Sequence, residues 1–355
     1  MEKAYQRLVK FGKYAKIFFI LVSAVLFFEP KSIEAAEIRL ISDEETEQLL
    51  FHLAKPLFDA AHLKLDRNQI FIVDDPSLNA FVADGNRLFV HTGTIIRADN
   101  ANELTGVIAH ETGHIMGGHI LRQKLKLRDM NQISLISAVL AGASAALSGR
   151  GDVAMAVMLG THSSVLNHYT GYRTSEERSA DEAAITLLKA SRQSPAGILN
   201  FMKKISKENV LSGRQETPYF RTHPITAERV AFFEKAVKET TYTTISAYED
   251  AFARVKAKLR AFLLSPEQIL REYPSEDNAI PAQYAQAITL LKQLKFSAAL
   301  KIMDNLIHRE PNNPFFYELR GQILLETGKI SAAKGDFSQA LKILPNSHLM
   351  TMNYA

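Results

Sequence analysis

The sequence predicts an α+β fold: a mostly helical domain with a small β-sheet, followed by an α-helical repeat array. Three observations carry that expectation. His110-Glu111-Thr112-Gly113-His114 sits in an apolar stretch with Leu104, Val107, Ile108 and Ile115 at helical spacing. Asn79 to Gly93 reads as two short strands around Asp84-Gly85-Asn86, a hairpin signal. Beyond residue 280 the same residue classes return every 34 positions.

The chain opens with Lys3, Arg7, Lys10, Lys13 and Lys16, followed by the unbroken apolar run Ile17 to Phe28. That run is short for a bilayer span but suits a secretory signal peptide, with cleavage after Ala35 or Ala36. Residues 1–35 are therefore expected to be a signal peptide, an uncleaved signal anchor being the alternative. The absence of cysteine excludes a lipid-anchoring lipobox and is compatible with an oxidising compartment. Without residues 1–35 the chain carries 36 Lys and Arg against 35 Asp and Glu, so its charge argues for neither nucleic acid nor a strongly anionic partner.

An initial helix is expected over Ser42 to Leu63, then the small sheet. A strand edge exposed beside a cleft can accept an unfolded peptide as an added strand, although a hairpin can equally just cover the core. Asn100 with Glu103 reads as an N-cap and its capping acid for the next helix. On that helix residues four apart lie about 40° from alignment, so His110 and His114 share a face and can bind one cation. Glu111 is close enough to a metal-bound water to take its proton.

A catalytic zinc site uses three protein ligands and keeps a fourth position for water. Two segments compete for the third ligand. His119 lies about 500° of helix beyond His114, well off the metal face, and the metzincin spacing asks for histidine where Ile120 stands, so a metzincin is the weaker alternative. In Thr174 to Glu182, Glu177 and Asp181 are again four apart: one carboxylate can bind the metal while the other accepts the free ring N–H of a ligating histidine. Glu176 and Glu182 are expected to be a solvated acidic helix start. Between the two helices, Ile133 to Ser148 and the apolar run ending at Gly160 suggest a helical hairpin, either core or a lid touching a membrane surface or unfolded clients. Further on, Thr222-His223-Pro224 cannot continue a helix, so His223 is displayed on a loop.

His-Glu-x-x-His followed about sixty residues later by Glu-x-x-Ala-Asp resembles the HtpX and BepA type of zinc metallopeptidase, a branch of the gluzincins. The resemblance implies that His110, His114 and Glu177 are ligands of one zinc ion per chain. It makes Glu111 the general base and Asp181 the partner of His110, and implies that His119 is not a ligand. In such proteins the histidine of His-Pro-x-x-x-x-Arg lies over the active site. His223 is then an inhibitory gate or an oxyanion stabiliser, and Arg229 supports the loop or the developing charge. The strand pair lies beside the cleft in this family.

The pairs Pro311/Pro345, Ala299/Ala333, Ala287/Gly321 and Leu290/Leu324 share one spacing, and Phe337 and Ala340 answer Met303 and Leu306. The period resembles the tetratricopeptide repeat, two helices per unit. Two repeats are few to stand alone, so the helices between Ala227 and Leu270 or the peptidase domain should cover one end. The expected organisation is a signal peptide (1–35), a zinc metallopeptidase domain (36–245), a helical connector (246–279) and tetratricopeptide repeats (280–355). The implied function is a periplasmic endopeptidase for misfolded or unassembled envelope proteins. The repeats would bind clients or outer-membrane assembly partners, with peripheral membrane contact as an additional expectation. A chaperone-like scaffold with a gated, rarely active zinc site is the alternative.

Overall fold

The computed structural model describes residues 38–354 apart from 84–85, 124, 126–127, 129–140, 142–172, 213–217 and 243–245. The expected leader (1–35) and most of the apolar hairpin around 133–160 lie outside the described residues.

Helix α1 (Glu44–Ala60) starts where Asp43 accepts the N–H of Thr46 at 2.9 Å while Glu47 accepts the Asp43 N–H at 3.2 Å, a reciprocal cap. Its apolar face (Leu50, Leu53, Leu57, Phe58) is fully buried. Four short strands follow the order β1-β2-β4-β3, with β1 (Leu40–Ile41), β2 (Ile70–Val73), β3 (Ala80–Ala83) and β4 (Arg87–His91). The β3–β4 hairpin is antiparallel and β2 runs parallel to β4, giving a small mixed sheet. Ile70, Ile72, Leu88 and Val90 alternate inward to the core. Among the described residues β1 and β3 are the two edge strands.

After the short helix α2 (Thr92–Arg97), helix α3 (Ala101–Met116) is capped by Asn100, which accepts the Glu103 N–H at 3.0 Å. Glu103 reaches back to the Asp99 N–H rather than to that of Asn100, and its buried charge is paired with Lys204 at 2.8 Å. Every residue of α3 from Ala101 to His114 is buried, which is why no polar stripe marks it in the sequence. Helix α4 (173–190) and helix α5 (Ala196–Ser212) pack around it. Helices α6 (Pro218–Thr222) and α7 (Ala227–Lys238) complete this half.

Seven more helices follow: α8 (Glu249–Leu263), α9 (Pro266–Glu272), α10 (Ile280–Lys292), α11 (Phe296–Arg309), α12 (Pro314–Glu326), α13 (Ile330–Ile343) and α14 (His348–Tyr354). The bounds of α10 and α11 recur in α12 and α13 displaced by 34 residues. The turns recur too. Leu294 and Gly328 both take left-handed backbone (φ 58° and 72°), and the following N–H, of Lys295 or Lys329, returns to a carbonyl of the preceding helix at 2.9 Å. Gly328 adopts that conformation freely, whereas Leu294 bears a cost of about 1 kcal/mol.

Residues 39–355 form one compact unit. The C-terminal helices and their connections are tied to the start of α1: Tyr284 donates to Glu45 (3.2 Å), Ser347 to Glu44 (2.7 Å), and Lys258 on α8 pairs with the capping Asp43. The architecture is thus mostly helical with a small mixed four-stranded sheet. Among the described residues no helix is long and apolar enough to cross a membrane.

Candidate metal centre

Helix α3 delivers His110 and His114 to one point, their Nε2 atoms 3.1 Å apart. Helix α4 delivers Glu177, whose carboxylate oxygens lie 3.3 Å from His110 Nε2 and 3.4 Å from His114 Nε2. His223, released from α6 by the Pro224 break, brings Nδ1 to 3.1 Å from Glu177 and 3.3 Å from His110 Nε2. One ligand-type atom from each of these four buried residues falls within 4.8 Å of the others.

Both histidines of α3 are backed. Asp181 Oδ1 lies 2.9 Å from His110 Nδ1, and His119 Nδ1 lies 2.8 Å from His114 Nδ1. The His119 position differs from the one expected for a continuous helix. Helix α3 stops at Met116, Gly118 turns left-handed (φ 63°) and helix resumes at His119, which this break sets against His114 Nδ1. Glu176 also departs from expectation: its side chain is only 12% exposed and borders the cleft instead of being solvated. Glu182 stays exposed.

Arg229 clamps the assembly. It donates to both oxygens of Asp181 (2.6 and 2.8 Å), to the Pro224 carbonyl (2.8 Å), and lies 2.9 Å from Glu177. Arg173 donates to the Arg221 carbonyl at 2.7 Å, tying the loop to the start of α4, and the Tyr219 ring packs 4.7 Å from that of His223. Sequence reasoning missed Arg173 and Tyr219. No spacing rule points to either, since each acts on a backbone or ring that only the fold brings near.

Burial pushes the Glu111 carboxyl up to about 7, although His114 and His110 oppose the shift. Burial disfavours the charged form of His110, but the Asp181 and Glu177 carboxylates override it and raise the group to about 9. Burial also opposes the Glu177 charge, yet His223, His110 and His114 hold that carboxyl well below the usual range. His119, desolvated beside His114 and Arg122, falls to about 4. Among the described residues the buried Glu111 Oε1 has no hydrogen-bond partner, and it lies 3.5 Å from His223 Nε2. A cavity of about 320 Å³ opens on Glu111, His114, Glu177 and His223, with Phe81 and Val82 of β3 along its wall.

A His-Glu-x-x-His helix meeting a glutamate of a second helix, beside a small mixed sheet, defines a metallopeptidase of the helical zinc-binding class. Residues 43–237 match the model of peptidase family M48, and the chain belongs to that family. It is similar to the beta-barrel assembly-enhancing proteases of Yersinia pestis (22% identity over 341 residues, 90% of this chain and 66% of the relative) and Escherichia coli strain K12 (22% over 316 residues, 86% and 64%). A protease HtpX homolog of Streptococcus thermophilus is 32% identical over 134 residues, 37% of this chain and 40% of the relative. The chain spans slightly less than two thirds of the length of the first two relatives.

Proposed function

We propose that the chain is a zinc-dependent endopeptidase acting on unfolded or unassembled proteins of the cell envelope. The observation that carries this reading is the meeting of His110 Nε2, His114 Nε2 and the Glu177 carboxylate at 3.1 to 3.4 Å, with both histidines backed on their other nitrogens. Two imidazoles and a carboxylate are a donor set suited to zinc that leaves a position open for reaction. His110, His114 and Glu177 are assigned as ligands of one zinc per chain. Asp181 is assigned as the group that orients His110, and Arg229 as the cation that steadies both carboxylates and the His223 loop.

Bound zinc would supply Lewis acidity and make a water acidic near neutral pH. Glu111, buried next to His110 and opening on the cleft, suits a base that takes the attacking water's proton and then protonates the leaving amine. The β3 edge aligns an extended peptide along the cleft. The two 34-residue helix pairs are read as tetratricopeptide repeats that hold clients or assembly partners, with 36–245 as the peptidase domain and 246–279 as the connector. Residues 1–35 are read as a signal peptide, which places the protein in the periplasm. The relatives' name, which refers to beta-barrel assembly, supports clients bound for the outer membrane.

A second reading has its own support. His223 sits where a fourth ligand would sit, so a gated site in a chaperone-like scaffold fits the same residues. The deciding experiment is cleavage of unfolded casein by the zinc-loaded chain beside Glu111→Gln. Cutting by the wild type, reduced at least 100-fold in the variant, supports the peptidase. No cutting by either favours the scaffold, and full activity of Glu111→Gln would overturn the base assignment.

A further inference from the structure

Phe71, Phe89 and Phe81 form a ladder across three adjacent strands. Phe71 stands opposite Phe89 in the β2–β4 pair, and Phe81 stands opposite Phe89 in the β3–β4 pair. Ring centroids are 4.8 Å apart at both steps, with interplanar angles of 15° and 5°. Cross-strand neighbours share a face, and this one is turned away from Ile70, Ile72, Leu88 and Val90 in the core. All three rings are half-buried, and His91 meets Phe81 edge-on at 6.1 Å.

The ladder ends at the edge of the sheet, since among the described residues no strand pairs with the outer side of β3. That edge is also the wall of the catalytic cleft: Phe81 and Val82 both line the cavity holding Glu111, His114 and His223. Successive side chains of a strand leave on opposite faces, so a cavity reached by two neighbours runs along the strand's edge rather than over one face.

We propose that Phe81 is a specificity-determining residue: a substrate segment adding to the β3 edge sets one side chain opposite Phe81, and the site selects an aromatic or bulky aliphatic group there. The inference rests on the peptidase reading and deepens it by naming the substrate class. The incoming side chain becomes the fourth rung of a stack that Phe71 and Phe89 hold in place. A charged side chain there would lose water against the face of the Phe81 ring. Every second residue of an added strand returns to the same face, so the preferred clients carry apolar groups at alternate positions, the pattern of a β-strand with one apolar face.

The test uses the zinc-loaded full chain and decapeptides of Thr and Ser carrying one central Phe, Leu or Ala. With Glu111→Gln, used so that bound peptide is not cut, the Phe and Leu peptides should bind about fivefold tighter than the Ala peptide, and adding Phe81→Ala should erase the difference. The Phe81→Leu version should keep part of the preference, and thermal unfolding of both versions reports whether the sheet is intact. The wild type should cut the Phe peptide at one fixed distance from the Phe. Equal affinities, or a preference that survives Phe81→Ala in a folded protein, would overturn the inference. If casein is cut while the peptides bind alike, the peptidase reading stands and this one falls. If nothing is cut or bound, both fall.

Discussion

A methyl group added to Gly113 would lie 2.6 Å from the carbonyl oxygen of Ala180. These two residues sit at the contact between α3, which carries His110 and His114, and α4, which carries Glu177 and Asp181. A mid-helix glycine lowers helix stability by about 1 kcal/mol relative to alanine, and here it lets two backbones approach closely enough for their side chains to meet. Gly113→Ala should therefore push the helices apart, destabilise the protein by roughly 1 to 3 kcal/mol and weaken zinc binding together. Thermal unfolding and zinc titration measure both. An unchanged melting point with unchanged affinity would mean that the contact is slack.

Arg229 is buried and faces two carboxylates. Arg229→Ala leaves Asp181 and Glu177 without their cation, and removing one partner of a buried pair costs about 3 to 5 kcal/mol. Chemical denaturation should show that loss. Asp181→Asn alone should lower zinc affinity about 10- to 100-fold by loosening His110, whereas a surface position would leave it unchanged.

His223 touches Glu177 and approaches Glu111 in the same structure. If it gates the site, His223→Ala should raise the casein cleavage rate and leave zinc affinity within about twofold. A stabiliser of developing charge predicts the reverse, a fall in kcat of about 100-fold with little change in KM. The direction of the change in kcat separates the two roles.

Glu318 on α12 is raised from 4.5 to about 7 by burial, with Asp43 and Glu45 adding to the shift and Lys258 opposing it. Below pH 4.5 this carboxyl is protonated in both the folded and the unfolded chain. Between 4.5 and 7 the unfolded chain loses its proton first, so stability falls as pH rises, by at most roughly 3 kcal/mol, and levels off above 7. Glu318→Gln should remove this decline. Denaturation midpoints of both proteins at pH 4.5, 6 and 7.5 test it: parallel curves would rule Glu318 out as the source.

The His110-Glu111-His114 helix was legible because its period is local: a residue and its neighbour four positions on share a face wherever the helix lies. The Asn100 cap, the β3–β4 hairpin and the 34-residue recurrence of α10–α11 in α12–α13 were legible for the same reason. Glu176 was misplaced by that kind of reasoning, and the contact of His119 with His114 Nδ1 was not foreseen. The local pattern does not show that α4 lies against the cleft. Once Gly118 interrupts the helix, helical angles no longer locate His119.

By itself the sequence determined which side chains can act together within one element: two histidines and a glutamate on α3, two carboxylates on α4, a histidine freed by proline after α6. Only the tertiary structure decided which atoms meet. The orientation that brings Glu177 to both Nε2 atoms and Asp181 to His110 Nδ1, the seat of His223 and the grip of Arg229 on Asp181 and Glu177 all join residues 46 to 113 positions apart. Helix and strand periods fix direction around an axis. The distance between two axes is set by packing, here by a glycine small enough to let one backbone rest on another.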